Sequence, residues 1–189
     1  FKPFGDGDGP TSSMPDADFE QAELYAWDGS RVNAIDASEF PGPVTLAGAS
    51  GTDILIGTVY DDLLIGFGGN DGLDGLAGND SLIGGDGNDT IFGDIGEDTL
   101  MGGDGDDLLD GDDFQNVSLS DDANADLIDG GNGRDTLWGG QGNDSLNGGD
   151  RDDLLIGRSG SDELIGGDGQ DTLVGGSGTG ADAGDTFDM

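Results

Sequence analysis

Two unlike residues keep step along most of this chain, an aspartate and, two positions later, a large apolar residue, with a period of nine. With Gly48 as position 1, units start at Gly48, Gly57, Gly66, Gly75, Gly84, Gly93 and Gly102, and again at Gly130, Gly139, Gly148, Gly157 and Gly166. Between the two blocks, Gly111 to Asp129 reads as one unit enlarged by an insertion at about Asp113 to Asp122. A degenerate last unit runs from Gly180 to Asp188. Position 6 is aspartate throughout: Asp53, Asp62, Asp71, Asp80, Asp89, Asp98, Asp107, Asp126, Asp135, Asp144, Asp153, Asp162, Asp171 and Asp185. Position 8 is Leu in most units, with Ile91, Ile128 and Phe187 as the other choices. One such unit cannot bury its apolar residue alone. Stacked units can.

Each unit divides into two parts. In Gly84–Phe92, "GGDGNDTIF", the first six residues carry the glycines that a tight turn with positive φ requires, and the last three form a short strand. Strand alternation points position 8 inward and positions 7 and 9 outward. Turn, strand, turn and strand then make one coil of two units. The expected fold is all-β: a parallel β-roll, a right-handed β-helix or solenoid of 18-residue coils with two short-stranded parallel sheets. The insertion falls within a turn and leaves the flanking strands in phase, so the roll is expected to run through it. Residues 1–47 lack the period and read as a linker, or an N-terminal approach or capping segment, ahead of a roll at 48–189. Phe1 follows no signal-peptide pattern, and the chain reads as a piece of a longer protein.

The charge excludes several partners. With 42 acidic residues against 5 basic ones, the net charge is -37. Nucleic acid and anionic membrane surfaces both need clustered Lys and Arg. No apolar run is long enough to span a membrane. Cysteine and histidine are absent, which removes disulfides, thiolate zinc sites and the usual general base. Only 32% of residues are hydrophobic, so the ion-free chain is expected to be disordered in plain water. Of the acidic residues 37 are Asp, and a short carboxylate suits a cation held beside a tight turn better than a solvated tail.

Consecutive turns fall on opposite edges of the coil. One edge carries Asp53, Asp71, Asp89, Asp107, Asp135, Asp153 and Asp171; the other carries Asp62, Asp80, Asp98, Asp126, Asp144, Asp162 and Asp185. Stacking sets neighbouring carboxylates about 4.8 Å apart. Their repulsion there is roughly 3 kcal/mol at an effective dielectric near 20. A hard dication in each gap reverses the sign. Oxygen-only ligands on flexible turns favour Ca²⁺ over Mg²⁺, which demands a stricter octahedron.

The units resemble the Gly-Gly-x-Gly-x-Asp-x-(large apolar)-x nonapeptide of the repeats-in-toxin (RTX), haemolysin-type calcium-binding family. That resemblance implies Ca²⁺ between stacked turns, up to about twelve ions, each bridged by position-6 aspartates. Carbonyls of positions 1 to 4 complete the implied sites. Their glycines are Gly66 and Gly69; Gly75 and Gly78; Gly84, Gly85 and Gly87; Gly93 and Gly96; and Gly102, Gly103 and Gly105. Beyond the insertion they are Gly130, Gly131 and Gly133; Gly139, Gly140 and Gly142; Gly148 and Gly149; Gly157 and Gly160; and Gly166, Gly167 and Gly169. The resemblance also implies export from a bacterium by type I secretion machinery, with folding on calcium outside the cell or at its surface. The pattern is not met everywhere: Phe67 and Arg158 stand at position 2, and Tyr60 and Arg151 at position 4, where glycine is expected. Sites at those turns are expected to be weaker or empty.

Catalysis is not expected of this fragment, because the repeat already accounts for every regular Asp. The parent protein could still be an enzyme or toxin with its active domain upstream. The alternative is a structural or adhesive module of the RTX adhesin or surface-layer type. Ile54, Ile56, Phe92, Leu108, Trp138, Leu154, Ile156 and Val174 should face outward from one sheet. Through Phe92 and Trp138 that face is a candidate docking surface for another domain or a second roll.

Overall fold

A computed structural model of the chain describes residues 22–25, 33–112, 125–176 and 186–188. The insertion at 113–122 and Asp185 lie outside them. Among the described residues every element is a strand. One sheet has nine strands and the other eight, and all pairings are parallel. Leu82 pairs with Leu64 on one side and Leu100 on the other, a spacing of one 18-residue coil. Leu73, Ile91 and Leu109 form the matching row in the opposite sheet.

Position 8 makes the core, as alternation requires. Leu55, Leu64, Leu82, Ile91, Leu100, Ile128, Leu137, Leu146, Leu155 and Leu164 are each 0% exposed. Two facing rows of leucine and isoleucine therefore fill the space between the sheets. Each such side chain contributes about 1.5–3 kcal/mol by leaving water. A thin core suffices because every coil repeats it.

Two features go beyond the expected outline, and a third meets it. Ser81–Asp86, Thr99–Asp104 and their equivalents are strands of six residues, not three. They take in the first turn positions, where Gly85 aligns with Gly103 and Asp86 with Asp104. Pairing also precedes the repeats: Asn33–Asp36 joins Asp53–Ile56, Ala22–Tyr25 joins Val44–Ala47, and the latter joins Leu63–Gly68. Both sheets thus begin before Gly48. Finally, pairing crosses the insertion, with Leu100 aligned to Ile128 and Leu109 to Leu137. The roll is continuous there, because the strands on either side of the insertion pair in register.

Outward positions behave as alternation dictates. Ile54 and Val174 are exposed, and Ile56, Phe92, Leu108, Trp138, Leu154 and Ile156 are half-buried. Arg158 lies over the Trp138 ring at 5.8 Å and reaches to 4.0 Å from the Asp110 carboxylate. Asp110 is fully buried although it occupies an outward position.

Candidate metal centres

The two ladders of aspartates form as the two-edge arrangement requires. On one edge the backbone N–H of Asp53 donates to Asp71 Oδ1 at 2.7 Å. Asp71 donates likewise to Asp89, Asp89 to Asp107, Asp107 to Asp135, Asp135 to Asp153 and Asp153 to Asp171. On the other edge the chain of donors runs from Asp62 through Asp80, Asp98, Asp126 and Asp144 to Asp162. Both ladders span the insertion unbroken, with bonds of 2.9 Å from Asp98 to Asp126 and 2.8 Å from Asp107 to Asp135.

One oxygen of each carboxylate is thereby held by the neighbouring coil. The other is not. Oδ2 of Asp71, Asp80, Asp89, Asp107, Asp126, Asp135, Asp144 and Asp153 is buried and accepts no hydrogen bond. A buried carboxylate oxygen without a donor costs about 1–3 kcal/mol or more, so a row of them points to a cation.

Burial dominates the proton affinities as well. It pushes Asp89, Asp135 and Asp144 up to about 7, Asp80 to about 8 and Asp126 to about 9. Asp107 rises to about 6, and Asp62, Asp71 and Asp153 are raised for the same reason. Repulsion from stacked neighbours adds to this, as Asp107 and Asp71 do at Asp89. Hydrogen bonds from the preceding coil pull the other way without cancelling it.

The glycines open the room around these oxygens. A Cβ on Gly130 would stand 2.6 Å from Asp135 Oδ2 and 2.6 Å from the Gly148 carbonyl oxygen. The same cradle recurs at position 1 of the other turns, Gly66, Gly75, Gly84, Gly93, Gly102 and Gly139 among them, formed by that turn's own Oδ2 and the carbonyl of the next turn. At position 4 the neighbouring carbonyl is what excludes a side chain. Gly87 and Gly105 face the carbonyls of Gly69 and Gly87, and Gly96, Gly133, Gly160 and Gly169 face those of Gly78, Gly105, Gly142 and Arg151. Among the described residues no three acidic side chains gather to hold a metal by themselves. A cation here would need carboxylate and carbonyl oxygens together, and a hard oxygen-seeking ion fits that set.

The departures from the pattern separate into two kinds. Phe67, Arg151 and Arg158 do adopt the left-handed backbone, at φ of 78°, 86° and 74°. Leu76 and Asp94, at position 2, join them at 75° and 70°. Tyr60 is not left-handed. Its N–H donates to the Thr58 hydroxyl at 3.0 Å, so its turn has a different shape. A further ladder escaped sequence reasoning. At position 5, Asn88 N–H donates to Asn70 Oδ1 at 3.2 Å, and Asp106 N–H to Asn88 Oδ1 at 3.3 Å. The signal was present in the run of Asn and Asp at this position, including Asn79, Asn143 and Asp152.

Comparison with known families agrees with this geometry. The family model described as the RTX calcium-binding nonapeptide repeat matches in four copies, at residues 48–82, 83–117, 120–150 and 147–180. No curated protein matches the chain significantly.

Proposed function

Since the chain belongs to the RTX calcium-binding nonapeptide repeat family, we propose that its roll folds on calcium outside the cell and so supports type I secretion and folding of a larger bacterial protein. The repeats themselves are a calcium-binding structural module. The observation that carries the proposal is the row of buried, donor-free Oδ2 atoms along both edges. Without an ion, those oxygens and a net charge of -37 oppose folding. Extracellular calcium modules bind with Kd of about 10⁻⁴–10⁻³ M, so the sites would stay empty at cytosolic calcium. Binding energy then becomes folding energy after export.

The metal ligands of this proposal are the position-6 aspartates from Asp53 to Asp171 with the glycine-turn carbonyls, about twelve ions being the ceiling that stacking allows. Attachment to an upstream enzyme, or to an adhesive surface protein, is compatible with the same module. A partner domain or second roll would dock on the face carrying Phe92 and Trp138, part of which Arg158 already covers.

Circular dichroism during a calcium titration tests the proposal. A cooperative coil-to-β transition is expected, reversed by chelator and not produced by Mg²⁺. A chain that stays disordered at millimolar calcium, or is fully folded in chelator at neutral pH, would contradict it.

A further inference from the structure

The first rung on each edge differs from later rungs such as Asp71, Asp89 and Asp107 on one edge and Asp80, Asp126 and Asp144 on the other. Asp53 and Asp62 are as buried as their successors, at 0% and 5% exposure. Yet both oxygens of each have donors. Asp53 Oδ1 accepts from Asn33 Nδ2 at 2.6 Å, and Oδ2 from the N–H of Ala49 at 2.6 Å. Asp62 Oδ1 accepts from the Val44 N–H at 2.7 Å and the Thr58 hydroxyl at 3.1 Å, and Oδ2 from the Thr58 N–H at 2.6 Å.

The turn conformation explains the difference. Each regular later turn, from Gly66–Asp71 to Gly102–Asp107 and from Gly130–Asp135 to Gly166–Asp171, has a left-handed residue at position 2. Neither Ala49 nor Thr58 is left-handed, nor are Gly51 and Tyr60 at position 4. In this other shape the position-2 N–H points into its own turn and binds the carboxylate. Besides the Thr58 hydroxyl, the remaining donors come from the coil ahead of the repeats, where Val44 occupies the place that a preceding aspartate N–H takes on later rungs.

From these observations we infer that the turns Gly48–Asp53 and Gly57–Asp62 are closed by protein donors and take no ion, so that each ion ladder begins at the second rung, Asp71 on one edge and Asp80 on the other. A cation in the first gap would have to displace buried, well-formed hydrogen bonds to charged oxygens, each worth more than an ordinary one. Ala49 and Thr58 thus decide where metal binding starts, and the ion ceiling falls by one per edge. The inference rests on the calcium reading of the later turns.

Anomalous scattering from crystals of the calcium-loaded chain tests it directly. Peaks are expected between Asp71 and Asp89 and between Asp80 and Asp98, with none between Asp53 and Asp71 or Asp62 and Asp80. A peak in either first gap overturns the inference and leaves the calcium reading standing; the absence of peaks everywhere overturns both. Native mass spectrometry adds a readout in solution. The double variant T58G/Y60G should hold one more ion than the unchanged chain. No gain in T58G/Y60G that folds on calcium would count against it.

Discussion

Asp89 accepts the backbone N–H of Asp71 through Oδ1 at 2.8 Å and keeps Oδ2 buried with no donor. The same carboxylate therefore links two coils and presents a charged oxygen to the gap. Replacing it separates these roles. D89N should keep the Oδ1 acceptor and lose the charge, raising the calcium needed for half-folding about tenfold, or about 1.4 kcal/mol. D86N, at an exposed position three residues earlier, should change it little. Equal midpoints for the two variants would argue against a ligand role for Asp89.

Acid should act in two opposite ways. Carboxyls raised from 3.8 to about 6–9 in the folded state take up protons on folding. Their stabilisation of the ion-free roll is fully present below the unfolded value near 3.8 and is lost as pH rises through about 6–9. In chelator, β-structure read by circular dichroism should therefore increase as pH falls from 9 to 5. Calcium competes for those same oxygens, so its midpoint should be higher at pH 6 than at pH 8. A midpoint independent of pH would contradict the shared site.

The core column predicts a sharp contrast between adjacent residues. Leu100 is 0% exposed and Met101 beside it 45%. L100A should destabilise the calcium-loaded roll by about 2–5 kcal/mol through lost burial and a cavity. M101A should stay within about 0.5 kcal/mol. Urea unfolding at saturating calcium measures both.

Two left-handed non-glycine residues should respond oppositely to glycine. Phe67 is exposed and strained, so F67G should stabilise by about 0.5–1 kcal/mol, the relieved strain exceeding the added chain entropy. Arg158 bears similar strain but stacks on Trp138 beside the buried Asp110. R158G should destabilise by about 1–3 kcal/mol, since it removes a cation next to a buried carboxylate. Thermal unfolding of the two variants in calcium decides this, and equal gains would remove any structural part for the Arg158 side chain.

Much of the architecture was legible before any coordinates. The nine-residue phase of Asp and Leu implied paired sheets, an inward column through Leu82 and Leu100, and two edges of carboxylates, because a period of nine leaves only one way to bury position 8. The continuity of pairing past the insertion followed from the same phase. What the letters concealed was direction. Nothing in "GTVYDD" announces that Thr58 turns its N–H onto Asp62, nor that Arg158 reaches back to Asp110. Hydrogen-bond direction and side-chain reach depend on φ at single residues and on neighbours a coil away. By itself, then, the sequence determined the repeat, the core and the chemistry of the edges, since these need only periodicity and residue type. Only the tertiary structure decided which aspartate oxygens are held by donors and which, as in Asp89, stay buried without one, because that depends on the stacked backbone of the adjacent coil.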